Sequence, residues 1–214
     1  MSSLPGDIER LLHDLRGPLN AATMHLEVLK RLASADPTAH SSLDAVQQEL
    51  GRLTAMLTAA FAIVALECGE RVAIDLGDLV RQTLEEQNLG PATVAESAWP
   101  KLHGDRRLVA LAVTHLVRNA LAATAAAGSD RRPPHVSFRA VGSGRIALVV
   151  RDWGQGLRTT NPRVLIRLTF SSSSGRPAVG LTTVERIARL HGGALEFFTP
   201  PEGGTEVCLT LPAV

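Results

Sequence analysis

The sequence predicts an α+β fold in which an antiparallel helical hairpin is followed by an α/β sandwich. Apolar residues recur at steps of three and four as far as Val64, which is the spacing of helices that each bury one face. Beyond Gly69, short alternating runs and helical runs follow one another, an order typical of a mixed sheet with helices on one face. The predicted domains are therefore the hairpin, residues 1–69, and the sandwich, residues 70–214.

The hairpin is predicted from two apolar seams separated by the segment "SADPTAHSS". In that segment Asp36-Pro37 favours a turn, and Ser41-Ser42 offers side chains that cap a helix. Two helices alone bury little apolar surface, so we expect two copies to pair into a four-helix bundle, which would make the protein a homodimer. The seams consist of Leu4, Ile8, Leu11, Leu15, Leu19, Ala22, Leu26 and Leu29 in the first helix, and of Leu43, Val46, Leu50, Leu53, Leu57, Ala60 and Val64 in the second.

The sandwich is predicted from a series of shorter segments. "RVAID" and "ATVAE" are strand candidates on either side of the helical "LGDLVRQTLEEQ". A longer helical run begins at "DRRLVALAV" and is expected to end at Gly128, a natural helix cap. The alternating segments "HVSFRAV" and "GRIALVVRD" form a hairpin, and a loop covers residues 153–179. The helix "LTTVERIARLHGG" and a second hairpin, "ALEFFT" with "TEVCLTLP", complete the chain.

Composition excludes several functional classes. Lysine and arginine number 22 against 21 acidic residues, so charge gives no reason to expect nucleic acid or an anionic membrane as a partner. Two cysteines are too few for a disulfide framework or a zinc site. No apolar run was expected to reach the ~20 residues of a membrane span, and the N-terminus lacks the form of a signal peptide. We therefore expect a soluble, cytoplasmic protein.

The segment "LLHDLRGPLN" places a histidine beside an aspartate on the first predicted helix. His13 lies about 200° around the helix from Leu11, at ~100° per residue, and so faces away from the apolar seam. Pro18 removes a backbone hydrogen bond within the same helix, which a helix that only packs would not need. Unless it is an ordinary surface residue, His13 is a candidate for chemistry.

Three further segments could bind a ligand. Asn119 interrupts an apolar helical run; it is either a surface residue or a buried amide that needs a partner. Asp152 ends an apolar strand before "WGQG", where Gly154 and Gly156 would let a ligand approach the backbone. "PAVGL" places Gly180 and Leu181 at the start of a helix, where backbone N–H groups can bind phosphate. Each signal is weak alone, but their order along the chain is not easily accidental.

With these motifs the chain resembles the bacterial histidine kinases of two-component systems over essentially its whole length. "HDLRGPLN" is similar to the family's H-box, and "LHGDRRLVALAVTHLVRNALAAT" to its N-box helix. "RDWGQGL" and "PAVGLTTVERIARLHGGALEF" resemble the two glycine boxes. The resemblance implies that the α/β half has the GHKL (Bergerat) fold and binds ATP with Mg²⁺.

The resemblance also implies roles for the residues of the H-box. His13 would accept the phosphoryl group, Asp14 would orient the imidazole and take its proton, and Arg16 would help to handle the incoming charge. A neutral imidazole held by a carboxylate is a suitable nucleophile. Pro18 would loosen the helix below the histidine. The phosphoryl group would pass to the receiver domain of a response regulator, and a separate sensor or input protein would supply the signal.

In the ATP half, the resemblance assigns metal and nucleotide contacts. Asn119 would hold Mg²⁺, and Asp152 would bind the adenine amine. Gly154, Gly156 and the Gly180-Leu181 helix start would line the nucleotide, with the serine-rich loop as a lid.

The chain departs from the family pattern at several positions. His115 stands where a second asparagine is usual, Ala122 replaces a basic or polar residue, and Ala178 replaces the first glycine of the second glycine box. The lid "TFSSSSGRP" lacks the usual lysine, although Arg176 could substitute. Gly17 replaces the threonine or asparagine that positions water for dephosphorylation of a partner.

These departures leave alternatives open beside the autokinase. The first is a phosphotransferase of a phosphorelay that keeps His13 but has an ATP domain that no longer binds nucleotide. The second is a non-catalytic dimerising scaffold or an anti-sigma-type serine kinase, against which the H-box on a helical hairpin argues. Nucleotide binding separates autokinase from relay protein, and phosphorylation of His13 separates both from the rest.

Overall fold

The computed structural model describes residues 4–32, 37–128, 132–142, 144–157, 159, 161, 164–167, 169–170 and 177–214, without the side chains of residues 4–14, 18, 32, 37 and 170. It divides into two compact units. The hairpin unit comprises Met1–Leu66 with Leu168–Val179, and the α/β unit comprises Glu67–Arg167 with Gly180–Val214. The predicted domain boundary between residues 69 and 70 remains a prediction. The division into units differs from it at Leu168–Val179, which the sequence placed in the sandwich and which here groups with the hairpin.

The hairpin unit is built on two long helices, α1 (Leu4–Leu32) and α2 (Pro37–Val64). They run antiparallel, since Gln47 Nε2 donates to Glu27 Oε1 at 2.6 Å and Lys30 Nζ lies 2.6 Å from Asp44 Oδ1. Helix α1 continues through Pro18 without a break. The short strands β6 (Thr169–Phe170) and β7 (Pro177–Ala178) pair antiparallel in the same unit.

Part of the predicted apolar seam is exposed within one chain. Leu29, Val46 and Leu53 are 50%, 49% and 52% exposed, and Val64 is 46% exposed. A second copy could bury these side chains, but the structure contains one chain, and the four-helix bundle and the homodimer remain predictions.

The α/β unit contains the remaining strands and helices, in the order β1 (Val72–Asp75), α3 (Leu76–Glu86), β2 (Thr93–Val94), β3 (Lys101–Gly104), α4 (Arg106–Ala125), β4 (His135–Ala140), β5 (Arg145–Arg151), α5 (Gly180–Leu190), β8 (Ala194–Phe198) and β9 (Glu206–Pro212). Five strands form a mixed sheet in the order β2-β4-β5-β9-β8, in which only β2 and β4 are parallel. Strands β1 and β3 form a separate antiparallel pair. The predicted mixed α/β fold is confirmed.

The core of this unit lies between the sheet and the helices α4 and α5. Leu148 of β5, Leu209 of β9, Val113 of α4 and Ile187 of α5 are each at most 1% exposed. Because successive strand residues point to opposite faces, Ala147, Val149 and Arg151 lie on the other face of the sheet.

The structure differs from the sequence expectation at several elements. Strands β6 and β7 lie within the segment 153–179 that was predicted to be a loop. Helix α2 begins at Pro37, so Ser41 and Ser42 lie inside it and do not cap it, and Ser42 Oγ donates to the Thr38 carbonyl at 3.0 Å. Strand β3 was not predicted, and β2 has only two residues.

Helix α4 ends at Ala125, before Gly128, because the N–H groups that follow form tighter i→i−3 turns. Ala127 donates to the Thr124 carbonyl at 3.1 Å and Gly128 to the Ala125 carbonyl at 3.3 Å.

Helix α4 also revises the expectation about apolar runs. Among the described residues it is the one helix whose length and composition would allow a membrane span. Half of its apolar stretch is buried in the folded chain, and core helices of globular proteins have the same length and composition, so this is weak evidence for a span.

Candidate functional site

Asp152 is the most rigidly held polar residue of the candidate site. It directly follows β5 and is 3% exposed. Its Oδ1 accepts hydrogen bonds from the backbone N–H of Gly154 at 2.8 Å and of Thr205 at 3.0 Å, and its own N–H donates to the Thr205 carbonyl at 2.9 Å. No described residue donates to Oδ2. One carboxylate oxygen therefore fixes the side chain, and the other is left for a ligand that carries a donor.

The glycines after Asp152 are required by close approach. A Cβ at Gly154 would lie 2.9 Å from the carbonyl oxygen and 3.1 Å from the Cβ of Ala123 on α4. Gly156 has φ of +77°, which favours glycine, and a Cβ there would lie 3.3 Å from the Gly204 carbonyl oxygen. The chain that follows Asp152 thus passes directly along helix α4.

One face of helix α4 lies against both glycine segments of the site. His115, Asn119 and Ala123 follow at intervals of four residues and so lie above one another. Ala123 meets Gly154, and at the other end His115 lies beside Gly180, where a Cβ would be 3.5 Å from its Nδ1. Asn119 stands between them and its side chain is exposed. The surface alternative for Asn119 is therefore correct, on the face that connects the two segments.

Gly180 and Leu181 open the 11-residue helix α5, as the sequence predicted. The first N–H groups of a helix have no partner within it and attract anions. Burial, and then the charge of Arg118, lower the pKa of neighbouring His115, so its imidazole is neutral near pH 7. Leu181 is half-buried.

The sequence did not predict the residues that fix the backbone next to Asp152. Thr124 Oγ1 accepts the N–H of Trp153 at 3.1 Å, which ties the segment to α4. Gly204 has φ of +72°, and a Cβ there would collide with the carbonyl oxygen of Asp152. The signal that could have found Gly204 is the pair of glycines in "PPEGGTE", the segment between the two strands of the second predicted hairpin.

The N-terminus of α4 is fixed by a second buried aspartate. Asp105 accepts from the N–H of Leu108 at 3.2 Å and of Gly69 at 2.8 Å, and its own N–H donates to His191 Nε2 at 3.0 Å. Burial opposes ionisation of Asp105, but these N–H donors and Arg107 outweigh it and lower its pKa. This capped helix start sets the position of Asn119 about four turns later.

The H-box residues lie in the other unit, on α1. The side chains of His13 and Asp14 are outside the described residues, as is Arg176 of the lid. The side chain of Arg16 is exposed. The six residues predicted to bind nucleotide or metal all lie in the α/β unit.

Comparison with protein families matches residues 104–214 to the model of histidine kinase-, DNA gyrase B-, and HSP90-like ATPases. The nitrogen regulation protein NtrY of Azorhizobium caulinodans is 27% identical over 95% of this chain, which spans 28% of NtrY. The sensor histidine kinase MtrB of Mycobacterium leprae is 30% identical over 94% of this chain, which spans 38% of MtrB. The chain thus spans about a third of the length of these relatives.

Solved structures share the fold. Full-length ShkA, crystallised in complex with AMPPNP, matches 98% of this chain with a TM-score of 0.62 and 19% identity, over 46% of its own length. The ATP binding domain of PrrB from Mycobacterium tuberculosis matches 68% of this chain with a TM-score of 0.54 and 22% identity, over 99% of its length. At these identities the likeness establishes the fold of the chain.

Proposed function

Because the chain belongs to the family of histidine kinase-, DNA gyrase B-, and HSP90-like ATPases, we propose that it is an ATP-dependent histidine autokinase. It phosphorylates His13 and passes the phosphoryl group to an aspartate of a response regulator. The observation that carries the proposal is the buried Asp152, which has one oxygen fixed by two backbone N–H groups. A protein that served only as a relay would have no need of this arrangement, so the phosphotransferase alternative is not favoured.

Asp152 suits the adenine end of a nucleotide. Its Oδ2 accepts a hydrogen bond from the exocyclic amine, while Oδ1 remains engaged with Gly154 and Thr205. Gly154 and Gly156 carry no side chains into the space beside it. The close packing of Gly154 on Ala123 keeps this wall of the site from shifting.

Asn119 and the start of α5 suit the phosphate end. The exposed amide oxygen of Asn119 is a hard ligand of the kind that Mg²⁺ prefers, and Mg²⁺ bound with a nucleotide usually needs only one or two protein ligands. The backbone N–H groups at Gly180 and Leu181 hold phosphate oxygens. When bound, ATP would supply the phosphoryl group, and Mg²⁺ would offset the negative charge of the phosphates.

His13 is the nucleophile in this proposal. Asp14 would orient its imidazole. As a ring nitrogen bonds to the γ-phosphorus of ATP, the bond from that phosphorus to the bridging oxygen would break, ADP would leave, and Asp14 would take the proton that the ring releases. Arg16 offsets the negative charge that approaches the helix.

The partners follow from the same proposal. They are a receiver domain, a second copy of this chain in a four-helix bundle, and a separate sensor or input protein, with neither nucleic acid nor a membrane as a partner. A cytoplasmic location is likewise proposed.

Gly17 has no side chain to orient water, so little phosphatase activity towards the regulator is expected.

The test is incubation with labelled ATP and Mg²⁺, followed by analysis for acid-labile, base-stable label. Wild-type protein should take up label, and His13→Gln should not. Asp152→Asn keeps an oxygen for the N–H groups of Gly154 and Thr205 but turns the ligand-facing oxygen into a donor. Loss of a charged acceptor costs about 1.5–3 kcal/mol, so ATP affinity should fall roughly ten- to a hundred-fold.

Back-transfer from a phosphorylated regulator provides the control. Asp152→Asn should still accept phosphate on His13 by this route, because the change lies in the other unit. Absence of ATP binding to the wild-type protein in calorimetry, with His13 still exchanging phosphate, would contradict the kinase and establish the relay protein. Label on a residue other than His13 would contradict the assignment of the nucleophile.

A further inference from the structure

A cavity of about 710 Å³ lies at the face of the sheet that bears Val149 and Arg151. Its wall includes the side chains of Arg132, Arg151, Trp153, Glu202 and Glu206. All of them belong to the α/β unit. Arg151 and Trp153 are the chain neighbours of Asp152, so the cavity adjoins the proposed nucleotide site along the backbone without including Asp152.

Two cations meet one aromatic ring in this cavity. The guanidinium carbon of Arg151 lies 4.7 Å from the centroid of the Trp153 ring, and that of Arg132 lies 5.4 Å from it. The indole N–H donates to the Pro133 carbonyl at 3.0 Å, which fixes the ring. Attraction to the ring holds both guanidinium groups at the wall of the cavity, where an anion would offset their positive charge.

Arg151 is poorly compensated for a buried charge. The residue is 7% exposed, and Nη2 donates to the Gly203 carbonyl at 2.5 Å. Its nearest carboxylates, on Glu202 and Glu206, lie at 3.8 and 3.9 Å, beyond hydrogen-bonding distance, and Glu206 bonds instead to Arg139 at 3.1 Å. Its Nε is buried without a partner among the described residues. Buried guanidinium groups normally have several short, charge-assisted acceptors. Among the described residues this one has a single such acceptor, the Gly203 carbonyl, and a carboxylate in the cavity would supply another.

We propose that this cavity is a binding site for a small zwitterion of the free α-amino acid class. The carboxylate of the ligand would bind at Arg132 and Arg151, and its ammonium group at Glu202 and Glu206. A multiply charged anion is opposed by the two glutamates, and a simple cation by the two arginines, whereas a zwitterion complements both. Val149 and Pro200 supply the apolar wall for its side chain.

Occupancy of the cavity is coupled to the nucleotide site through one loop. Arg151 holds the carbonyl of Gly203, and two residues further on the N–H of Thr205 holds Oδ1 of Asp152. A carboxylate that draws Arg151 towards itself alters this loop, and with it the acceptor for adenine. The coupling rests on the proposed function, but the site itself does not.

Calorimetry without nucleotide tests the site. L-alanine, L-leucine and L-phenylalanine are titrated in turn, each beside its N-acetyl derivative, which lacks the ammonium group, and its amide, which lacks the carboxylate. At least one free amino acid should bind at millimolar concentration or below, and each of its derivatives at least tenfold more weakly. No binding by any of the three, or equal binding by a derivative, would overturn the proposal.

Surface variants keep the test independent of folding. Arg132 is exposed and the Glu202 side chain is 71% exposed, so Arg132→Gln and Glu202→Gln should fold normally and each weaken binding at least tenfold. Arg81→Gln, an exposed change on α3 that breaks an ion pair with Asp78, is the matched control and should leave binding unchanged. Unaltered affinity in both cavity variants would refute the site.

ATP titrations with and without the bound amino acid test the coupling. Saturation of the cavity should change ATP affinity at least threefold, and Arg132→Gln should abolish the change. An identical ATP affinity in both conditions would overturn the coupling, whereas failure of ATP to bind in either would contradict the proposed function instead.

Discussion

The two units of the molecule bury apolar surface to very different degrees. In the α/β unit, Leu148, Ile187 and Leu209 are at most 1% exposed, whereas Met24 and Leu53 of the hairpin unit are 61% and 52% exposed. Both units are rich in leucine, so the difference arises from geometry. A sheet covered by helices encloses its side chains, but two helices can only cover each other along one line.

This contrast indicates that the α/β unit is stable on its own and that the hairpin gains stability from a further surface. Helix starts in the α/β unit are capped by Asp75 and Asp105. In the described part of the hairpin, the polar contacts between the helices are exposed or half-exposed pairs such as Lys30–Asp44. Pairs of this kind contribute little to the free energy of unfolding.

The largest expected effect is the difference between truncating a leucine in each unit. Leu209→Ala should lower the free energy of unfolding of the α/β unit by about 2–5 kcal/mol, because it removes a fully buried side chain and leaves a cavity. At low protein concentration, Leu53→Ala should lower the free energy of unfolding of the hairpin unit by far less than this. Circular dichroism follows the helices of both units during denaturation, whereas tryptophan fluorescence follows the α/β unit alone, since Trp99 and Trp153 both lie there. Equal losses of unfolding free energy in the two variants, each measured on its own unit, would contradict the contrast.

A charge at the exposed seam tests whether a second copy covers it. Leu53→Asp would place a carboxylate in the proposed bundle, and burial of an unpaired polar group costs about 1–3 kcal/mol. The dimer should therefore dissociate at least tenfold more readily in sedimentation velocity, with tryptophan fluorescence unchanged. Glu49→Gln, an exposed change on the same helix, is the control. A dimer that withstands Leu53→Asp would show that the interface lies elsewhere.

The sequence was informative where periodicity reflects burial. Strand β5 was predicted within one residue at each end, and helix α5 within one residue at its start and three at its end, because each carries a complete apolar pattern. The pattern was less informative for α2, where Leu43 and Leu57 are half-buried but Val46 and Leu53 are exposed. A seam of period 3.5 identifies the apolar face of a helix, but it does not distinguish contact with its own partner helix from contact with a second copy.

The candidate site was predictable in its motifs but not in its supports. Asp152, Gly154 and Gly180 were found because they belong to short motifs in the expected order. Gly204 and Thr205 lie more than fifty residues from Asp152, and no local pattern pairs them with it. Their role depends on the register in which β9 lies against β5, with Arg151 opposite Glu206, and this register is a tertiary property.

A pair of adjacent glycines tests how strictly the α/β unit holds Asp152. Gly203 and Gly204 have φ of +87° and +72°, so alanine at either position incurs the same kind of backbone strain. A Cβ at Gly203 meets open space, but one at Gly204 collides with the Asp152 carbonyl. Gly204→Ala should therefore cost about 1–3 kcal/mol more than Gly203→Ala and weaken ATP binding as well. Equal unfolding curves for the two variants would mean that the loop moves freely.

The smallest expected effect concerns pH and His115, which is half-buried beside Gly180. Burial, and then Arg118, lower its pKa below the ordinary value of 6.5. The unfolded chain therefore binds a proton more readily than the folded one. The stabilising contribution is complete above pH 6.5 and declines as the pH falls through the lowered pKa.

His115→Asn should flatten this decline of the unfolding free energy in urea denaturation between pH 7 and pH 5. Arg118→Gln removes the second cause and should raise the pKa of the His115 ring in NMR titration. A pH profile that His115→Asn leaves unaltered would show that the imidazole is not desolvated, and the α4 face beside Gly180 would then be more open to water than the rest of the unit.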